Sequence, residues 1–105
     1  MSMLKSPAEC SSIEEVRAAI DSLDREIVQA IGLRAQYVKT ITRFKKTEQE
    51  VRAPARRQQV LSARRAWAAE VGMDPDVVEQ LYILLIDHFV AEEMRDLRLA
   101  PADQT

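Results

Sequence analysis

The sequence predicts an all-α protein of three helices, the first much longer than the others. Three observations carry that prediction. Gly occurs twice and Pro four times in a 105-residue chain that is 47% hydrophobic, a composition with few turn formers. Val16, Ile20, Leu23, Ile27, Ile31, Val38 and Ile41 recur at three- and four-residue steps and draw one helical stripe. Finally, Pro54, Gly72, Pro75 and Pro101 stand where helices would start or stop, not inside them.

A chain of this length makes one domain, taken as 1–105. Fifteen basic and 17 acidic residues give a formal charge of -2, which argues against nucleic acid or an anionic membrane as partner. The single cysteine, Cys10, has no partner for an internal disulfide, and no apolar leader follows Lys5; both fit a cytoplasmic protein. The most apolar segment, 81–91, is too short to span a bilayer and contains Asp87 and His88.

Residues 1–11 have no periodicity. Ser12 and Glu15 form an S-x-x-E capping box that opens the first helix, predicted over 12–46. Its weakest part is 38–44, where Thr40, Ile41 and Thr42 are β-branched. Val38, Ile41 and Lys45 keep the earlier phase, which favours continuing the helix; the alternative is a break near Thr40 in a monomer. A helix of that length measures roughly 52 Å. A compact chain of this size has a radius of gyration of only ~13 Å, so the stripe needs cover, and a symmetric dimer supplies it. Residues 47–53 are polar and read as a loop. Pro54 opens a second helix over 54–71 that stops at Gly72, with Val60, Ala63, Trp67 and Val71 as its inward face. Asp74 and Pro75 start a third over 75–99, apolar nearly all round between 81 and 91 and therefore expected to be the most enclosed element.

Charges interrupt these faces. On a helical wheel Arg34 and Lys45 fall within about 20° of the first stripe's centre, Arg56 about 40° from the second helix's face, and Arg17 about 80° from the first stripe. Glu93 follows Phe89 and Val90 by one turn, among apolar neighbours. A cation in such a place finds an anion or costs several kcal/mol. Arg17 alone reads as a snorkelling border residue. Arg34 and Lys45 together leave a positive surplus that a small dicarboxylate would answer, since guanidinium pairs bidentately with carboxylate and lysine adds a mobile donor. Arg17 and Arg34 lie about 25 Å apart along one helix; if both serve one site, one of them arrives from a second protomer. The rival reading is a non-catalytic dimerisation module, with Arg34 and Lys45 paired to Asp24, Glu92 or Glu93 across the interface.

Other chemistry is thin. His88 and Glu92 share a helix face but lack a second His or Cys, so no metal is expected. Cys10 has no neighbouring His, and no glycine-rich phosphate loop occurs. Arg57, Arg64 and Arg65 spread around their helix and read as solvated charge.

The run "IDSLDREIVQAIGLRAQYVKTITRFK", followed by "APARR", resembles the all-helical chorismate mutases. It is more similar still to their isochorismate-pyruvate lyase relatives of salicylate and siderophore pathways. The likeness covers 13 to about 95. Its motif is I-D-x-x-D, an Arg ten residues after the second Asp, and a Lys eleven beyond that Arg. The resemblance implies an intertwined homodimer of three-helix chains with two shared active sites and no cofactor. It further implies that Arg17 reaches across protomers to grip one substrate carboxylate. Arg34 and Lys45 would bind the pyruvyl carboxylate and ether-oxygen region, Arg56 would help close the site, and Glu93 would sit beside the ether oxygen. Lys45, Arg34 and Glu93 are thus the candidate catalytic residues; Val38 and Phe89 join the arginines and lysine as candidate substrate-binding positions. Many relatives carry Gln where this chain has Glu93, and a glutamate donates to an ether oxygen only when protonated. Ala53-Pro54 and "FKKTE" lean toward the lyase branch. The activity implied is chorismate to prephenate, with isochorismate to salicylate and pyruvate as the alternative at the same site.

Overall fold

A computed structural model describes residues 4–99. A 3-10 turn (Pro7–Glu9) precedes α1 (Ile13–Ile41); a second 3-10 turn (Thr42–Phe44) leads to α2 (Glu48–Arg52), α3 (Pro54–Glu70) and α4 (Pro75–Leu99). The described residues divide into two compact units, one ending at Tyr37 and one starting at Val38.

In the first unit α1 begins as its capping box requires. Ser12 Oγ accepts from the Glu15 amide at 3.1 Å, and the Glu15 carboxylate accepts from the Ser11 amide at 3.0 Å and from Lys5 Nζ at 3.2 Å. Beyond that start the helix buries nothing. Ile13, Val16, Ile20, Leu23 and Ile27 are each between 42% and 56% exposed within the chain.

In the second unit the first departure from expectation is the end of α1. The helix stops at Ile41, five residues before the predicted 46, and is about 44 Å long. The β-branched run pays in χ1 freedom for staying helical. The Thr42 hydroxyl bonds back to the Lys39 carbonyl, and the chain tightens into a 3-10 turn. Lys45 follows with extended backbone, φ -108° and ψ 128°, so it lies off the helix on which its wheel position was drawn. The second departure is α2, inside a stretch read as loop. Its N-cap is Thr47, whose hydroxyl oxygen accepts from the Glu50 amide.

Ala53 ends α2 and caps α3 in one step, in the left-handed region at φ 37°. Pro54 then opens α3, and Gly72, at φ 76°, turns the chain after it. α4 matches the predicted span, with Asp74 accepting from the Asp76 amide at 2.9 Å.

Both α2 and α3 pack on α4. Val51, Val60, Leu61, Ala68 and Met94 form the core, with Glu93 buried among them. The inward face of α3 is therefore Val60, Leu61 and Ala68; of the other residues expected there, Ala63 is half-buried and Trp67 and Val71 are exposed. The expectation that 81–91 would be the most enclosed segment also fails in the single chain. None of its residues is buried, and Leu84 is 68% exposed. α4 is covered along one side by two helices, and a segment apolar all round keeps its other sides open until something further packs there.

Candidate functional site

The second unit brings two of the predicted residues together across 48 positions of sequence. Lys45 Nζ donates to Glu93 Oε2 at 3.2 Å. Glu93 is 6% exposed and stands next to Met94 on α4, where an ionised carboxylate without a partner is strongly disfavoured. Lys45 reaches it from the extended stretch after the 3-10 turn. Its amide donates to the Thr42 carbonyl at 3.2 Å, and the amide of Lys46 donates to Glu50 Oε1 at 3.1 Å. The ion pair corrects the charge count drawn from the sequence: Lys45 has its counter-ion in its own chain, so it is not an uncompensated cation.

The other predicted residues of this unit lie on α1, α3 and α4. Arg56 is exposed on the first turn of α3 and donates to Gln59 Oε1 at 2.8 Å. Phe89 is half-buried on α4, edge-on to the exposed His88 ring at 4.9 Å. Val38 is half-buried near the end of α1. In the first unit, Arg17 is exposed near the start of α1 and Arg34 is half-buried further along it.

Two features were not read from the sequence. The Thr47-x-x-Glu50 cap beside Lys45 carries the same signal as Ser12-x-x-Glu15, and the surrounding charge masked it. Arg64, read as solvated, is half-buried, with its guanidinium 4.5 Å from the Trp67 ring centre and 5.4 Å from that of Tyr82. Its neighbours Arg57 and Arg65 are also half-buried, but their guanidinium groups pair with exposed carboxylates. Arg57 pairs with Asp87 and Arg65 with Asp76, each at 2.8 Å, and the Asp76 hydrogen bond raises the Arg65 pKa. Exposed pairs of this kind add little stability.

Chemically, Lys45 and Glu93 offer a cluster of donors at the edge of a low-dielectric core. The ammonium has hydrogens to spare beyond the one on Glu93, and a protonated Glu93 would add an O–H beside it. Such a pair suits an oxygen that gains negative charge, and it contains no nucleophile.

The family described as chorismate mutase type II matches residues 16–94. The chain is similar to the isochorismate pyruvate lyase of Pseudomonas aeruginosa PAO1, 40% identical over 92 residues that cover 88% of this chain and 91% of that protein. It is also similar to the T-protein of Haemophilus influenzae, 32% identical over 71 residues, 67% of this chain and 19% of that larger protein.

Proposed function

Since the chain belongs to the type II chorismate mutase family, we propose that Lys45 and Glu93 form the catalytic centre of its reaction. The protein is an enzyme of that pericyclic class, with chorismate mutase activity, isochorismate pyruvate lyase activity, or both. One site serves both reactions in this reading. The likeness to a lyase over nearly its whole length favours isochorismate as a substrate beside chorismate.

The observation that carries the assignment is the buried Lys45–Glu93 contact. In the rearrangement of chorismate to prephenate a C–O bond breaks as a C–C bond forms. The cleavage of isochorismate to salicylate and pyruvate breaks the corresponding C–O bond with hydrogen transfer in place of C–C formation. Both need the side chain held folded over the ring, and both place developing charge on the ether oxygen. Lys45 donates to that oxygen, and Glu93 does so when protonated. Arg34 holds the pyruvyl carboxylate, Arg17 of a second protomer holds the other carboxylate, and Arg56, Val38 and Phe89 line the substrate. A unimolecular reaction of this kind asks for no metal or cofactor.

The homodimer belongs to the same reading and is supported by α1. A helix with a continuous apolar stripe and no buried residue calls for an apolar cover, and a second copy offers the same stripe in return. The whole of 1–105 then acts as one helical domain, in the cytoplasm, without nucleic acid. No helix among the described residues is long and apolar enough to cross a membrane.

The test is to supply chorismate and isochorismate separately and to follow prephenate, salicylate and pyruvate. Formation of none of them overturns the reading. A non-catalytic dimerisation module would also show no thermal stabilisation by a cyclic dicarboxylate. The enzyme should be stabilised, and Arg34→Ala should abolish the shift.

A further inference from the structure

We infer that Glu50, acting with Thr47, is the positioning residue for Lys45. The inference rests on the role proposed above for Lys45.

Lys45 stands between two elements and belongs to neither, so no helix sets the direction of its side chain. A lysine carries about 2 kcal/mol of rotamer entropy on a flexible four-carbon stem. Without a fixed Cα its ammonium would sample a wide shell. What fixes the Cα is a pair of hydrogen bonds on the two flanking peptide planes. The plane before it is held by its own N–H on the Thr42 carbonyl, at 3.2 Å, which sets φ. The plane after it contains the N–H of Lys46, and that N–H donates to Glu50 Oε1 at 3.1 Å, which sets ψ.

Glu50 is itself fixed. The same Oε1 accepts from the Thr47 hydroxyl at 3.1 Å, while the Thr47 hydroxyl oxygen accepts from the Glu50 amide at 3.1 Å. In an ordinary capping box the acidic side chain returns to the N-cap amide. Here it reaches one residue further back, to the peptide that follows Lys45. One residue beyond Glu50, Val51 is 3% exposed, and α2 packs on α4. The connections therefore close a ring: from α4 through Val51 to the Thr47–Glu50 cap, to the Lys46 peptide, to Lys45, and back to Glu93 on α4. A short helix of five residues has little reason to persist for its own sake. Its place in this ring gives it one.

The test is steady-state kinetics on Glu50→Ala, Glu50→Gln, Lys45→Ala and the Glu50→Ala/Lys45→Ala pair. Glu50 is exposed, so the substitutions leave the core intact. Glu50→Ala should lower kcat about ten-fold with a much smaller change in KM, as expected of a misaimed group. Glu50→Gln keeps an oxygen that accepts both bonds and should stay within about two-fold of the parent. On the Lys45→Ala background Glu50→Ala should cost nothing more, because there is no ammonium left to aim. A full additive loss on that background shows that Glu50 only stabilises the helix start and overturns the inference. So does unchanged turnover in Glu50→Ala when Lys45→Ala is impaired, an outcome that leaves the role of Lys45 standing. Full turnover in Lys45→Ala removes both.

Discussion

The two units start a helix by the same device and then part company. In each, a hydroxyl residue caps the helix and a glutamate three residues on reaches back past the cap: Ser12 and Glu15 for α1, Thr47 and Glu50 for α2. After its cap, α2 buries Val51 and leads into a unit with its own core. α1 buries nothing. A stripe of large apolar side chains left about half exposed is the kind of surface that marks an interaction site. The Lys45–Glu93 contact is thus made within one chain, whereas our reading completes the first unit, with Arg17 and Arg34, by assembly. Since that reading brings residues of both units to each site, loss of the contact and loss of assembly should both cost activity, with different signatures.

The largest effect belongs to the Lys45–Glu93 contact. Lys45→Ala should reduce kcat by about 10²- to 10³-fold, equivalent to about 3–4 kcal/mol of activation free energy, as for the loss of one oxyanion donor. It should also lower Tm, because Glu93 is then left buried without its cation. Steady-state assays and a thermal melt on the same preparation check both. A variant with parental turnover would disqualify the centre.

Next in size is the effect of sharing. If Arg17 serves a partner's site, Arg17→Ala and Lys45→Ala damage different halves of each site. Coexpressed, the two inactive variants should form mixed dimers in which one site has both residues and the other neither. Random pairing gives about a quarter of the parental sites. Activity no greater than the sum of the separate variants would break the comparison, since both units would then serve one chain. Sedimentation of the mixture shows whether dimers are present at all.

How far these features could be read from the sequence depended on how local their causes are. The starts of α1, α3 and α4 were legible because Ser12, Pro54 and the Asp74–Pro75 pair act within a turn of themselves. The end of α1 was legible only as the alternative, a break near Thr40. Helical phase says where Lys45 would point if the helix continued, and it says nothing about whether three β-branched residues allow that. Lys45 and Glu93 were both marked as interior charges. Their pairing, 48 residues apart, needs the packing of α2 on α4, which no periodicity encodes. On α3 the three- and four-residue steps from Val60 through Ala63 and Trp67 to Val71 pass over Leu61 and Ala68, which are buried beside Val60.

A smaller effect separates the two members of the centre. If Glu93 donates to the ether oxygen, Glu93→Gln keeps a donor there and should stay within a few-fold of the parental kcat, whereas Glu93→Ala should lose more. Equal turnover in the two variants would leave Lys45 as the sole donor.

The smallest effect lies at the other capping box, at the start of α1. The Ser11 amide, and after it the Lys5 side chain, hold the Glu15 carboxyl below the ordinary glutamate range. A lowered folded-state pKa means that the carboxylate's contribution is complete above the ordinary glutamate pKa. It is lost as pH falls through the folded value. The Ser11 amide resonance should therefore move on acidification with a midpoint below that of a free glutamate, and Glu15→Gln should abolish the movement. An unchanged Ser11 response in that variant would show that its amide answers to another group.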